Sequence, residues 1–151
     1  MSASVPSTVR RWLAVDPGDK HIGLAVSDPF GLIARPLTTL SHLARARDAE
    51  RIVQIAVENE AGGIVVGQAL DSEGEAGPAA RKAERLAEAV RALTQLPVVL
   101  FDESLTSQAA RALLRAAGKS RRDRRAQEHA AAAAALLQGF LDAHPPETPP
   151  G

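Results

Sequence analysis

From Trp12 onward the chain alternates short apolar runs with amphipathic stretches. Trp12–Val15 is an apolar run stopped by the carboxylate of Asp16, and beyond Pro17 and Gly18 a second run extends to Asp28. Apolar runs of this length bounded by Pro and Gly predict strands, and two of them across so short a turn predict a β-hairpin. A residue before proline is driven into extended geometry, so Pro17 holds Asp16 in the strand. Gly18 is then expected to supply the positive φ of a type II turn. Leu32–Leu40 predicts a third strand, in which Pro36 confines the middle to a sheet edge or a bulge.

The period then changes. Leu43–Glu60 carries Ile52, Val53, Ile55, Ala56 and Val57 on one broad stripe and predicts a helix, closed by Gly62 and Gly63. Ile64–Val66 is a β-branched run suited to a strand buried on both faces. Gln68–Gly77 is polar and reads as a loop. Pro78 opens a helix in which Ala79, Ala83, Leu86, Ala87, Val90 and Leu93 keep helical spacing. Pro97–Phe101 predicts another strand, running into Asp102 and Glu103. Thr106 or Ser107 can cap a helix to Gly118, a basic run follows, and Gln127–Asp142 predicts a last, alanine-rich helix. Three strands followed by alternating helices and strands predict an α/β domain on a mixed sheet.

Length and composition narrow the picture. A chain of 151 residues with 45% hydrophobic content has the size of one domain with a substantial core. Ser, Thr and Pro without periodicity make residues 1–11 an expected flexible leader. The proline-rich end, HPPETPPG from His144, reads as a disordered tail, leaving a domain over 12–142 and a tail over 143–151. No stretch approaches the ~20 apolar residues of a membrane span. Zero cysteines exclude a disulfide framework and any thiolate metal site, and a cytoplasmic location with no membrane partner is expected. Lys plus Arg equals Asp plus Glu, 18 each, so any affinity for nucleic acid must come from local clustering.

The candidate chemistry lies at strand ends. If the strands beginning near Trp12 and Pro97 lie close and parallel, Asp16 and one of Asp102 and Glu103 emerge together at the carboxyl edge of the sheet, where α/β folds bind ligands. Converging carboxylates repel unless a cation sits among them, and such oxygen ligands suit Mg²⁺ or Mn²⁺. A site of that kind cleaves phosphodiesters. The simpler alternative makes each acid a solvated strand-end or capping residue. Lys119, Arg121, Arg122, Arg124 and Arg125, preceded by Arg111 and Arg115, form the dense positive run, which reads as solvated by default and, if the chain acts on a polynucleotide, as a loop that orders on its backbone. Among the aromatic residues Phe30, in the turn DPFG, is the candidate for stacking on an unpaired base.

These residues carry a resemblance. Asp16–Asp28, DPGDKHIGLAVSD, resembles the opening D-x-G-x-K-x-I-G-x-A-x-S-D motif of the YqgF/RuvX family, the Holliday-junction-resolvase-like nucleases of bacteria. Ile64–Gly67 with Asp71–Gly74 is similar to the family's V-V-G-x-P-x-x-x-x-G segment, and Asp102–Ser107 to its D-E-R-L-T-T. Ala69 replaces the family's Pro, and Ser104 its Arg, which removes a potential partner for phosphate.

The resemblance implies an RNase H-like fold with a mixed five-stranded sheet flanked by helices, and a Mg²⁺- or Mn²⁺-dependent acidic site. It implies nuclease processing of the 5′ end of precursor 16S rRNA, with Holliday junction resolution as the alternative. The family's first acid falls on Asp16 and its second on Glu103. A third Asp opens the family's last helix, nine residues before the end of an I-L-Q-like triplet. Counting back from Leu136-Leu137-Gln138 reaches His129, an imidazole able to bind a divalent metal or accept a proton from water. Glu128 is the substitute ligand. In the family frame Lys20 reaches the crevice as a point charge for the scissile phosphate. The changed third position also leaves open a nucleic-acid-binding factor with weak catalysis. Sugar-kinase and actin-like ATPases open on a similar acid and glycine but need two such domains, and this chain has room for one. RNA against DNA, and monomer against homodimer, are not decided by these residues.

Overall fold

The computed structural model describes residues 6, 9, 11–71, 73–103 and 121–145, the side chains of 121–127 excepted. Five strands, β1 (Trp12–Pro17), β2 (His21–Ser27), β3 (Ala34–Ser41), β4 (Gly63–Gln68) and β5 (Val98–Asp102), form one mixed sheet in the order β3-β2-β1-β4-β5. The first three make an antiparallel meander, and β4 and β5 run parallel to β1. Helices α1 (Arg45–Glu58) and α2 (Pro78–Arg91) pack on one face, while α3 (Arg121–Ala143) covers the other.

Strand alternation divides the core in two. Leu13, Val15, Ile22, Leu24, Ile64, Val66 and Val98 meet Ile52 and Ala56 of α1 and Leu86 and Val90 of α2. Trp12, Ala14, Ala25, Val65, Val99 and Phe101 point the other way, onto Ala133, Leu137 and Phe140 of α3. Phe140 meets Trp12 edge-on at 4.8 Å and Phe101 at 5.5 Å, the offset geometry that aromatic quadrupoles favour. Gly63 makes room for this group, since a Cβ there would come within 2.6 Å of the Trp12 ring. The sheet is thus sandwiched between helices, and the five expected strands are all present.

Several details differ from expectation. The hairpin reverses across Asp19 and Lys20, with the N–H of Gly18 donating to the carbonyl of His21 at 2.9 Å. Gly18 does not adopt positive φ. It is needed because a Cβ would lie 2.5 Å from that same carbonyl. Helix α1 stops at Asn59, whose side chain donates to the Ile55 carbonyl, and Glu60 takes the left-handed φ of 56°, before the two glycines are reached. Pro36 meets both expectations: β3 is an edge strand, and its register slips opposite Leu24 and Ala25. From the expected leader, Val9 packs against the α3-side core and the Arg11 carbonyl accepts the Gly62 N–H. His144, placed in the expected tail, lies against Phe140 with ring centroids 4.6 Å apart.

The backbone of Arg121–Gln127 is helical and continuous with α3, where a loop was expected over the arginines. Arg, Ala and Gln favour helix, and neither Gly nor Pro interrupts residues 121–138. The expected helix over 106–118 lies outside the described residues, as do Arg111, Arg115 and Lys119. No helix among the described residues is long and apolar enough to cross a membrane.

Candidate active site

Because β1, β4 and β5 are parallel neighbours, their carboxyl ends share one edge of the sheet. Asp16 stands near the end of β1, Gly67 near the end of β4, and Glu103 directly after β5. Trp12 and Ala14 face α3, so alternation puts Asp16 on the same face. Val99 and Phe101 likewise place Glu103 on the α3 face. Asp102 belongs to the opposite face, where it accepts the Leu70 N–H at 3.5 Å. The edge therefore selects Glu103 over Asp102.

Two glycines shape the ground around Asp16. The pairing of Val15 with Val66 sets Gly67 alongside Asp16 in the next position of the parallel ladder. A Cβ on Gly67 would lie 2.8 Å from Oε1 of Glu103 and 2.6 Å from Cδ2 of Leu136. The Glu103 side chain thus crosses the sheet over the one residue separating its strand from Asp16. On the other flank Asp16 pairs with Gly23 of β2. Here the backbone of α3 comes down onto the sheet, and a Cβ on Gly23 would overlap the carbonyl of His129. A strand glycine marks such a close approach, of backbone at Gly23 and of the Leu136 and Glu103 side chains at Gly67, and this is the signal that points to both in advance.

His129 is half-buried and its ring stacks on that of His21, with centroids 4.8 Å apart and planes inclined by 22°. Glu128 is exposed. His21 has no counterpart in the expected site, because nothing local marks a residue beside a turn as a stacking partner for one more than a hundred positions away. Asp16 and Glu103 share a face and an edge, and His129 enters on the Gly23 flank of Asp16, with its ring on His21. Among the described residues, no three His, Asp or Glu side chains are gathered tightly enough to hold a metal ion. The donor set at the edge is nonetheless hard carboxylate oxygen. Such oxygen donors fit a hard divalent cation, and Gly67 leaves the Glu103 carboxylate room to reach over β4.

Lys20 is exposed at the hairpin turn on this same edge, and its carbonyl accepts the His42 N–H at 2.8 Å. The side chains of Arg121, Arg122, Arg124 and Arg125 lie outside the described set, but their helix leads directly into His129. Phe30 is 63% exposed at the opposite edge, beyond the end of β2, so it does not overhang Asp16. Its loop is pinned by Asp28, which accepts the N–H groups of Phe30, Leu32 and Ile33 at 3.0, 2.7 and 2.7 Å. Burial alone would raise the Asp28 pKa, but these three donors outweigh it and hold the carboxyl below its usual range.

A family model described as RuvX, Holliday junction resolvase, matches residues 10–143. The chain belongs to this family. A protein of Anaeromyxobacter dehalogenans (strain 2CP-C), named "Putative pre-16S rRNA nuclease", is 44% identical over 136 residues, covering 90% of this chain and 99% of that protein. One of the same name from Thermoanaerobacter pseudethanolicus is 40% identical over 133 residues, covering 87% and 96%. Among solved structures, Thermus thermophilus RuvC in complex with a Holliday junction substrate superposes with a TM-score of 0.62 at 18% identity, covering 89% of this chain and 96% of that one. At that identity the likeness speaks to fold, and the fold of this RuvX-family chain is RNase H-like.

Proposed function

We propose that this RuvX-family protein is a divalent-metal-dependent nuclease that hydrolyses phosphodiester bonds in precursor 16S rRNA, at its 5′ end. The observation that carries the reading is the placement of Asp16 and Glu103 on one face of one sheet edge, with only Gly67 between their strands. Two carboxylates so placed are the residues that would hold Mg²⁺ or Mn²⁺. A cation there supplies activation of water and relief of charge at the phosphate. His129 enters from α3 and offers a ring nitrogen to the proton leaving the attacking water, with Glu128 as the alternative carboxylate. Lys20 places an ammonium at the same edge to receive a phosphate oxygen. The relatives' names favour the RNA substrate.

A second reading, cleavage of four-way DNA junctions, is favoured by the family's description and by the fold shared with the junction-bound RuvC. One assay separates the readings: a precursor 16S rRNA 5′ leader and a four-way junction are incubated with the protein in Mg²⁺ and in Mn²⁺. The expected result is metal-dependent cleavage of the RNA leader, abolished by Asp16→Asn in a protein that keeps its circular dichroism spectrum. Junction cleavage alone would move the assignment to DNA. Binding of both without cleavage would replace the enzyme with a nucleic-acid-binding factor.

A further inference from the structure

Charge is divided along the carboxyl edge. On the β4 and β5 side stand Glu103 and Asp102, followed around the rim by the exposed Asp71, Glu73 and Glu75 of the β4–α2 loop. On the β2 and β3 side stand cations. His21 pairs with Ser41 across the β2–β3 ladder, and the Lys20 carbonyl accepts the His42 N–H, so the hairpin turn and the end of β3 form one corner. Helix α1 begins three residues after His42 and brings exposed Arg45 and Arg47 to the same corner.

The acids in this corner offset only part of its positive charge. Asp48 is 1% exposed and spends its oxygens inward, accepting from the Leu43 N–H at 3.1 Å and from Arg51 at 2.7 Å, and pairing with His42. Asp19 is bridged to Lys82 of α2 at 3.1 Å. Glu50 stands 3.8 Å from Arg47 with both side chains mostly exposed, a pairing that solvent screens heavily. Among the described residues Lys20 and Arg45 enter none of the ion pairs.

We infer that the corner formed by Lys20, Arg45 and Arg47 is a second binding surface for a polynucleotide backbone, distinct from the arginines of α3. It grips the strand on the β3 side of the carboxylates. The inference rests on the nuclease reading and extends it to the path of the substrate. The ligand chemistry is phosphodiester: the corner offers the Lys20 ammonium and two guanidinium forks, which match phosphate oxygens, and none of the chain's Trp or Phe residues. With a net formal charge of zero the molecule has no general attraction for nucleic acid, which makes local corners of this kind necessary.

The test uses Asp16→Asn protein, expected to bind without cutting, titrated with a structured RNA hairpin and with a four-way DNA junction across a series of KCl concentrations. Adding Arg45→Gln and Arg47→Gln together is expected to lower the slope of log affinity against log salt by about 1.5, since each phosphate that the protein ceases to neutralise takes away roughly 0.7 to 0.9. Lys20→Gln should lower it separately. Arg35→Gln, an exposed cation at the opposite edge of the sheet, should leave it unchanged. A slope unaltered by the Arg45 and Arg47 changes, or lowered equally by Arg35→Gln, overturns the corner while the nuclease reading stands. Failure of Asp16→Asn to bind either nucleic acid overturns both.

Discussion

Gly23 of β2 carries the backbone of His129 directly on its Cα, with no side chain between strand and helix. Because Gly23 is also the ladder partner of Asp16, the entry point of α3 and the first carboxylate are fixed by one residue. Gly23→Ala puts a methyl group into the His129 carbonyl, and backbone cannot swing aside as a flexible side chain can. The expected loss is about 2 kcal/mol of stability, in the range for overpacked cores, measured as a lowered urea midpoint. Cleavage should fall further than the loss of folded protein accounts for, since α3 must lift away from Asp16. An unchanged midpoint would mean that the helix rides higher on the sheet than described.

The stack of His21 on His129 makes a separate prediction. His21→Ala should move the ring-proton resonances of His129, because the neighbouring ring current disappears, and should reduce cleavage several-fold. His21→Phe keeps a flat ring on the same face and should restore most of both. If His129 resonances are indifferent to His21→Ala, the two rings do not meet in solution.

Asp48 governs the acid limb of stability. Burial by itself raises its pKa, but the Leu43 N–H, Arg51 and His42 together bring the carboxyl below its ordinary value. Near the ordinary carboxylate pKa of about 3.9, the unfolded chain therefore binds a proton that the folded chain refuses. The stabilisation is fully present above that value and is lost as pH falls through the lower folded-state pKa. Asp48→Asn should cost about 3 kcal/mol at neutral pH, because the Arg51 charge is left without its buried partner. It should also flatten the decline in thermal midpoint below pH 4. A decline as steep as that of the parent protein would assign the acid limb to other carboxylates.

Much of this architecture is local in origin and legible along the chain. Strand and helix periods are properties of neighbouring residues, so the five strands, α1 and α2 follow from runs and stripes of a few positions. The alternation that separates Asp102 from Glu103 is equally local, and the Pro36 edge follows from the missing N–H of proline. Local rules misplaced the hairpin turn, because Gly18 is required by the nearby carbonyl of His21 and not by its own φ. They also began the last helix too late, since a run of arginines reads as a solvated loop until the helix behind it extends through them.

What only the tertiary structure decided is which distant residues meet. The order β3-β2-β1-β4-β5 sets Asp16 between Gly23 and Gly67, and so between the seat of α3 and the reach of Glu103. The sequence by itself determined that Asp16 and Glu103 stand at strand ends, because alternation and proline act within a few residues. Their shared edge, the His21–His129 stack and the burial of Asp48 arise from packing between elements far apart in the chain, where no short-range pattern reaches.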